Sequence, residues 1–325
     1  MSLFFKRTSQ LHLLGNGMQK TSSKHKVWRR YKEVSVPWAQ YDAHRKNEYK
    51  HVIDLQKVFS ELDRPVQRRE FRLSKLTVIL LLKIMFGISY RGIASAIKNL
   101  GIYKILEMKR SPSYKTIQRT MQHLQVGFLL QVNHRLTPSE IQLAGIDSSG
   151  IRTKQKGAWV QIRFQRPVQK RDFKKIHIFV DLESKKILYC IITEGSSYDS
   201  PQLKHVLKQC KWLKINIILG DGGYDSKECF NEITKKGAIP GITVRKNATT
   251  RSRGSMSRKK AVLEQKKDIK RWKEKVRYTM RCILEAIFSG TKRRFGEYLF
   301  CINERYRCVE MWLRTILWNV LIYPR

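Results

Sequence analysis

Residues 215–226 read INIILGDGGYDS, and this stretch decides the fold class. The run INIILG is dominated by apolar β-branched residues, as is typical of a buried strand, and it stops at Asp221 before two glycines. Open α/β sheets bind their ligands at the carboxyl ends of such strands. The stretch therefore predicts an α/β sheet that carries Asp221 at its functional edge.

A second strand of the same kind lies at 141–150, where IQLAGIDSSG is predicted to end in Asp147. Period-2 alternation and apolar runs predict the remaining elements of this half. They are a strand at 159–164, a hairpin of strands at 175–182 and 186–195, a helix at 198–210, a helix at 226–237, a strand at 238–244 and largely helical sequence at 258–296. This order predicts a mixed sheet, and it is the order of a ribonuclease H-like catalytic domain.

The preceding region, 68–135, is predicted to be helical. Two short amphipathic helices, at 89–101 and 111–124, resemble a helix-turn-helix, and the second exposes polar and basic residues. The residues that could face a DNA groove are Lys115, Gln118 and Arg119. An ordinary small helical bundle gives the same pattern, so both interpretations stay open.

The charge of the chain indicates its kind of partner. Lys and Arg number 66 against 26 Asp and Glu, which gives a net charge of +40. A surplus of this size repels itself and favours a polyanion, with nucleic acid first and a ribosomal or membrane-adsorbing role as alternatives. Residues 1–60 are predicted to form a basic, flexible arm, followed by the helical DNA-binding region 61–138 and the catalytic domain 139–325.

Membrane and secretory signals are absent from the sequence pattern. The best apolar run, 76–88, is interrupted by Lys83 and is shorter than a bilayer-spanning helix requires. The first ten residues lack the apolar region of a signal peptide. We therefore expect a cytoplasmic, nucleoid-associated protein with no membrane partner.

Three other aspartates compete with Asp221 for a functional role, and local structure explains each of them. Asp181 is typical of a turn, Asp199 precedes a proline and is typical of a helix cap, and Asp225 with Glu228 resembles a capping box. We therefore assign these three to structure and Asp221 to chemistry.

A basic segment, RYTMRCILEAIFSGTK at 277–292, contains a single carboxylate, Glu285. On one helix, Tyr278, Arg281, Glu285 and Lys292 would project within a stripe roughly 60° wide at about 100° per residue. The carboxylate could hold a metal ion while its neighbours bind phosphate oxygens. The alternative is a solvated face with an ordinary Arg281–Glu285 ion pair.

Three carboxylates in one site would repel one another unless a cation neutralised them. The six cysteines show no C-x-x-C spacing, so a zinc site is not predicted. Oxygen ligands favour Mg²⁺ or Mn²⁺, and two ions would activate a nucleophile and stabilise the leaving oxygen of a phosphodiester.

These motifs together resemble the DDE transposases of prokaryotic insertion sequences, in the group that carries a YREK signature. GIDSSG resembles the strand of the first aspartate, ILGDGGYDS that of the second, and the 277–292 segment the signature helix. The region between Asp221 and Glu285 is too short for the large β-rich insertion of some relatives.

The resemblance implies that Asp147, Asp221 and Glu285 are the catalytic residues and the ligands of two Mg²⁺ or Mn²⁺ ions. It implies phosphate contacts from further residues, which are Tyr278, Arg281, Lys292, Arg293 and Arg294. It also implies a homodimer or larger complex on double-stranded DNA, which cleaves inverted-repeat element ends and joins them to target DNA.

Two alternatives remain at this point. A ribonuclease H-like nuclease or resolvase would cut without joining, and a non-catalytic DNA-binding derivative would do neither. The YREK segment favours the transposase over the first, and intact acids at all three positions favour it over the second.

Overall fold

The computed structural model describes residues 38–63, 70–153, 173–251 and 253–322. By their contacts the residues divide into two compact units, 1–42 and 43–325, and the second contains every site discussed below. The strand predicted at 159–164 and the first 37 residues of the predicted arm lie outside the described residues. The predicted boundaries at 60 and 138 stay predictions.

In the first half of the chain, the described residues of the region predicted to be helical, 68–135, form helices as predicted. The longest of these helices, Leu73–Phe86, is buried along most of its length because ten of its fourteen positions are apolar, and it ends at Gly87 in the left-handed conformation. The hydroxyls of Ser89 and Ser113 cap two later helices by accepting backbone N–H bonds. The helices are α1 (Trp38–Lys46), α2 (Glu48–Phe59), α3 (Leu73–Phe86), α4 (Tyr90–Asn99), α5 (Ile102–Ile105), α6 (Tyr114–His123) and α7 (Val126–Leu136).

Two predictions for this half need correction. The described part of the predicted flexible arm, from 38 to 60, is helical, because Val52, Leu55 and Phe59 of α2 are buried in the core. The connection from α4 to α6 contains the additional helix α5, so these helices do not form a short-turn helix-turn-helix. Within the described residues no single helix is long and apolar enough to span a bilayer, although α3 and α4 together, bent by 109°, satisfy length and composition.

The described residues of the second half form a five-stranded mixed sheet of β1 (Glu140–Arg152), β2 (Phe173–Asp181), β3 (Ile187–Glu194), β4 (Lys214–Gly220) and β5 (Ile239–Ile242). Their order in the sheet is β3-β2-β1-β4-β5. The strands β1, β2 and β3 pair antiparallel, while β4 pairs parallel with both β1 and β5. This is the predicted ribonuclease H-like arrangement.

The helices of this half are α8 (Ser200–Gln209), α9 (Lys227–Lys235), α10 (Met256–Lys267), α11 (Ile269–Lys275), α12 (Cys282–Phe295) and α13 (Glu304–Leu321). The C-terminal helix α13 packs against the sheet, where it contacts β3. Asn319 of α13 fastens the start of that strand, since its Oδ1 accepts the Ile187 N–H at 2.7 Å and its Nδ2 donates to the Ile187 carbonyl at 2.8 Å. The edge strand therefore has its first backbone groups satisfied from within the core.

Candidate active site

The strands β1 and β4 separate at the end of the sheet where two of the predicted acids lie, and we call this point the fork. The parallel pairing of β1 with β4 reaches only Gly145, opposite Leu219, whereas β1 continues beside β2 as far as Arg152. Asp147 therefore lies inside β1, two residues past the fork, and not at a strand end as predicted. Asp221 follows the last residue of β4 directly, so both aspartates lie at this fork.

The turn after β4 fixes the side chain of Asp221. Its Oδ1 accepts the backbone N–H of Gly223 at 2.9 Å, which caps the single 3-10 turn Gly222–Tyr224. A Cβ at residue 223 would lie only 2.9 Å from the same oxygen. A glycine is therefore required for the carboxylate to approach its own turn this closely.

A second glycine allows the helix that carries Glu285 to approach the sheet. A Cβ on Gly145 would lie 3.0 Å from Leu284 of α12 and 3.1 Å from Leu182. The bare backbone of β1 thus accepts α12 directly, and Leu284 packs there with no exposure. Glu285, the next residue, is consequently held beside the fork.

The predicted single helix through Tyr278 is interrupted before α12. Arg277 adopts a left-handed backbone with φ of 54°, Tyr278–Arg281 form a 3-10 turn, and α12 begins only at Cys282. The prediction of one continuous helix is wrong in this first turn.

Despite this interruption, the flanking members of the segment reach the sheet. The Tyr278 hydroxyl lies 3.1 Å from the hydroxyl of Thr243 and donates to the Gly220 carbonyl at 3.4 Å. Lys292 Nζ donates to Ser149 Oγ at 2.7 Å, two residues beyond Asp147 on β1. The segment therefore spans the fork from the end of β4 to the last part of β1.

Arg281 connects the first and third predicted acids. Its Nη1 lies 3.0 Å from Asp147 Oδ2, and its Nη2 lies 3.4 Å from Glu285 Oε1. The Glu285 side chain is 70% exposed, whereas that of Asp147 is 16% exposed. The i, i+4 ion pair considered from the sequence is thus present, but the same guanidinium also binds a strand aspartate.

The other predicted DNA contacts differ in their surroundings. Arg294 forms an ion pair with Glu48 of α2, so its guanidinium has a partner inside the fold, which the prediction of a phosphate contact did not include. Arg293 is exposed. The predicted groove-facing residues of α6 are exposed as well, namely Lys115, Gln118 and Arg119.

Two of the three aspartates assigned to structure have that role. Asp181 accepts the Ser184 backbone N–H at 3.3 Å in the β2–β3 hairpin. Asp225 is fully buried and binds Arg258 through two hydrogen bonds of 2.7 and 3.0 Å. The reason given for Asp225 is wrong, however, since the cap of α9 is Ser226, whose hydroxyl accepts from the Cys229 N–H.

Asp199 is the residue that the sequence interpretation missed. It precedes α8 in the cap position, but its side chain makes no capping hydrogen bond. The carboxylate instead forms an ion pair with Lys175 at 2.7 Å. The sequence did contain a signal for this position. Because β1 pairs antiparallel with β2, and β2 pairs antiparallel with β3, β3 runs in the same direction as β1. The chain that leaves β3 therefore emerges at the same end of the sheet as Asp221.

The aspartates influence one another electrostatically. The pKa of Asp147 is raised, chiefly by burial, with further contributions from Asp221 and Asp199 that the Ser148 N–H and Arg281 oppose. The pKa of the buried Tyr224 hydroxyl is raised by burial and then by Asp199, Asp147 and Asp221. The edge is thus a region of concentrated negative potential.

One neighbour of this region carries no positive charge at neutral pH. Burial lowers the pKa of His177 on β2 to about 4, against the opposing effect of Asp199. Lys175 is therefore the side chain that supplies charge on that flank.

The donor chemistry of the edge fits a hard divalent cation. Among the described residues no three His, Cys, Asp or Glu side chains converge closely enough, as they stand, to hold an ion. Asp147, Asp221 and Glu285 nevertheless provide only oxygen donors, which such cations prefer. The hydroxyl of Tyr224, three residues after Asp221, is buried without a hydrogen-bond partner in the described part of the chain, as in a polar site built for a further group.

Comparison with known proteins gives a family match. Residues 138–320, more than half of the chain, match the family model described as Transposase DDE domain. Among solved structures, the chain is similar to piggyBac transposase in a synaptic complex with hairpin DNA, at 11% identity and a TM-score of 0.39 over 90% of this chain and 75% of that chain. It is also similar to Mos1 transposase in a paired-end complex with the left transposon end, at 10% identity and a TM-score of 0.22 over 71% of this chain and 80% of that chain.

Proposed function

Because the chain belongs to the transposase DDE domain family and is therefore a DNA transposase that depends on a divalent metal, we propose that it cleaves the ends of an insertion sequence and joins them to target DNA. The observation that carries this proposal is the convergence of Asp147, Asp221 and the helix of Glu285 at the fork between β1 and β4.

The three acids would hold Mg²⁺ or Mn²⁺, as two ions. When bound, such ions supply Lewis-acid stabilisation of the phosphodiester oxygens and a water of lowered pKa. The three carboxylates would place that charge where the backbone of the DNA would pass. Gly145 and Gly223 contribute by allowing the helix and the turn to approach closely.

The proposed reaction has two steps. Water attacks the phosphorus at the element end, and the P–O3′ bond breaks to give a free 3′-hydroxyl and a 5′-phosphate. That 3′-hydroxyl then attacks a target phosphodiester, forms a new P–O bond and displaces the target's 3′-hydroxyl. Each step exchanges one P–O bond for another, so no covalent enzyme intermediate is required.

The YREK segment supports membership in the corresponding group of prokaryotic insertion-sequence transposases. We propose that Arg281 and Lys292 bind the phosphates on either side of the cleaved bond, since both cations lie at the fork beside Asp147 and Ser149. Charge-assisted hydrogen bonds to phosphate are among the stronger polar contacts. Tyr278 would position the segment against the end of β4.

Double-stranded DNA is the proposed partner. The net charge of +40 favours a polyanion, and α6 exposes Lys115, Gln118 and Arg119 on a helix of the preceding region. We further propose that the protein acts as a homodimer or larger complex on paired ends, and that it resides in the cytoplasm on the nucleoid.

The proposal is tested with the full chain and a duplex made of the DNA on either side of the coding sequence. With Mg²⁺ we expect a nick at each element end and, on adding a supercoiled plasmid, joined products; EDTA should abolish both. Cleavage without joining would favour the nuclease, and binding without cleavage would favour the non-catalytic derivative. The matched control is Asp268→Asn, a change at an exposed helix cap.

A further inference from the structure

Three chain segments that run in the same direction carry an aspartate at the same end of the sheet. Asp221 follows β4, Asp147 lies on β1 past the fork, and Asp199 lies in the chain that leaves β3. The first two are the predicted ligands, whereas nothing in the family resemblance assigns Asp199 a role.

The two oxygens of Asp199 have different surroundings. Oδ1 is buried beside two side chains of β2, with Lys175 Nζ at 2.7 Å and Nδ1 of His177 at 3.4 Å, yet among the described residues it accepts no hydrogen bond. Among the same residues Oδ2 accepts none either, and it lies on the side of Gly223. A Cβ built on Gly223 would lie 3.4 Å from Oδ2 and 2.9 Å from Asp221 Oδ1, so the two carboxylates approach one glycine with no side chain between them.

Tyr224, the next residue, supplies an independent observation. Its side chain is fully buried, and its hydroxyl has no hydrogen-bond partner among the described residues. Burial is the main cause of its raised pKa, and the charges of Asp199, Asp147 and Asp221 raise that pKa further. Buried hydroxyls are nearly always paired, so this one indicates a site completed by something further.

We propose that Asp199 is a fourth carboxylate of the divalent-cation site, and that the Tyr224 hydroxyl donates a hydrogen bond within this group of acids when the cation is bound. The inference rests on the proposed function, since it concerns the same site. Asp199 would serve through Oδ2, the oxygen that faces Asp221, while Lys175 pairs with the carboxylate from behind through Oδ1.

The competing explanation is that Asp199 only neutralises Lys175. The two explanations differ in what removal of the lysine does. A cation ligand should bind its ion at least as tightly without a competing ammonium group beside it. An aspartate that serves only to pair with Lys175 would lose its purpose when Lys175 is replaced, so Lys175→Met would have the same effect as Asp199→Asn.

The decisive measurement is Mn²⁺ affinity of the full chain without DNA, followed by the electron paramagnetic resonance of free Mn²⁺. We expect Asp199→Asn to weaken binding about 10-fold or more, in the range that loss of supporting groups causes at metal sites. Lys175→Met should bind Mn²⁺ as tightly as the wild type or tighter, and Asp268→Asn should be unchanged. Wild-type affinity in Asp199→Asn, or equal losses in Asp199→Asn and Lys175→Met, would overturn the inference.

Failure of the proposed function would look different in the same experiment, because Asp221→Asn would then also bind Mn²⁺ like the wild type. Tyr224→Phe tests the hydroxyl separately. Without metal its Tm should equal or exceed that of the wild type, since an unpartnered hydroxyl is removed. The rise in Tm that Mn²⁺ causes should be smaller than in the wild type, and an undiminished rise would exclude the role given to Tyr224.

Discussion

Two aspartate–arginine pairs lie close to the end of β4, namely Asp225–Arg258 at the turn and Asp147–Arg281 at the fork. They differ in how completely the hydrogen-bonding capacity of the aspartate is used. Asp225 is fully buried, receives two hydrogen bonds from Arg258 and accepts the Arg245 backbone N–H at 2.9 Å. Asp147 is slightly exposed and shares one arginine with Glu285.

The difference separates structural from chemical acids. A buried carboxylate whose oxygens all have partners has nothing left to offer a substrate or a cation, and its role is to hold elements together. Arg258 lies on α10 and Asp225 precedes α9, so this pair joins two helices. At the fork, by contrast, Asp147 has a raised pKa and other carboxylates nearby, which is the condition that a bound cation relieves.

The largest expected effect comes from neutralising the acids at the fork, which are Asp147, Asp221 and Glu285. Asp147→Asn, Asp221→Asn and Glu285→Gln should each lower cleavage of the element end by about 10³-fold or more, because several kcal/mol of transition-state stabilisation are lost. End binding should remain, since the basic surplus supplies the affinity. Single-turnover cleavage and a filter-binding assay measure the two quantities.

The stability of Asp147→Asn makes the same comparison sharper. Since the folded-state pKa of this acid is raised, its contribution to stability falls as pH rises from the unfolded value through the folded one, and above that window the ionised form destabilises the metal-free fold. The neutral variant should therefore melt at or above the wild-type temperature at pH 7. A clearly lower Tm would place Asp147 with the structural acids.

The next effect is expected at Asp225, the structural acid of the comparison. Asp225→Ala should destabilise the protein by about 3–5 kcal/mol, because it leaves Arg258, whose side chain is only 14% exposed, without its partner. Urea denaturation monitored by circular dichroism gives the loss, and Mn²⁺ affinity at low temperature should be unchanged. If Asp225→Ala melted normally but did not cleave, while Asp221→Asn remained active, the assignment of the second acid would be wrong.

What the sequence could and could not predict follows the same division. The order of strands and helices along the chain, the position of Asp221 directly after a strand and the segment of Glu285 were predictable because alternation and strand ends are local patterns. Contacts between distant residues were not: Arg258 lies far along the chain from Asp225, and Lys175 lies on β2, next to the strand from which the chain of Asp199 emerges. Local capping patterns suggested helix caps for both aspartates, and neither makes one.

The interruption at Arg277 was equally invisible to periodicity, since a left-handed arginine has no sequence signature of the kind that glycine provides. The helical state of 38–60 was missed because the basic, acid-free composition of residues 1–32 was extended to a segment whose four Lys and Arg nearly balance its three Asp and Glu, although Val52, Leu55 and Phe59 follow helical spacing on a buried face.

A smaller effect is expected at Arg281, which pairs with both Asp147 and Glu285. Arg281→Ala should slow cleavage roughly 10- to 150-fold at saturating DNA and Mg²⁺, if its contact with phosphate is worth about 1.5–3 kcal/mol. Arg281→Lys should restore only part of the rate, because an ammonium group cannot bind two oxygens at once as the planar guanidinium group does. If Arg281 only pairs with acids of its own chain, cleavage will be normal and the free energy of unfolding will change by a few tenths of a kcal/mol.

The smallest effect is expected at Tyr278, where the same comparison is made within the YREK segment. The Tyr278 hydroxyl is hydrogen-bonded within the chain, whereas we propose that the Arg281 guanidinium binds phosphate. The Tyr278 hydroxyl already has two partners within the chain, Thr243 and the Gly220 carbonyl. Tyr278→Phe keeps the ring beside Trp272, with ring centroids 5.4 Å apart, and loses only those hydrogen bonds, worth about 0.5–1.5 kcal/mol of unfolding free energy. Cleavage should fall less than 10-fold and Mn²⁺ affinity should not change. A loss as large as that of Arg281→Ala, without a change in Tm, would show that the hydroxyl turns from Thr243 to the DNA, and that a satisfied group in the static fold can still belong to the chemistry.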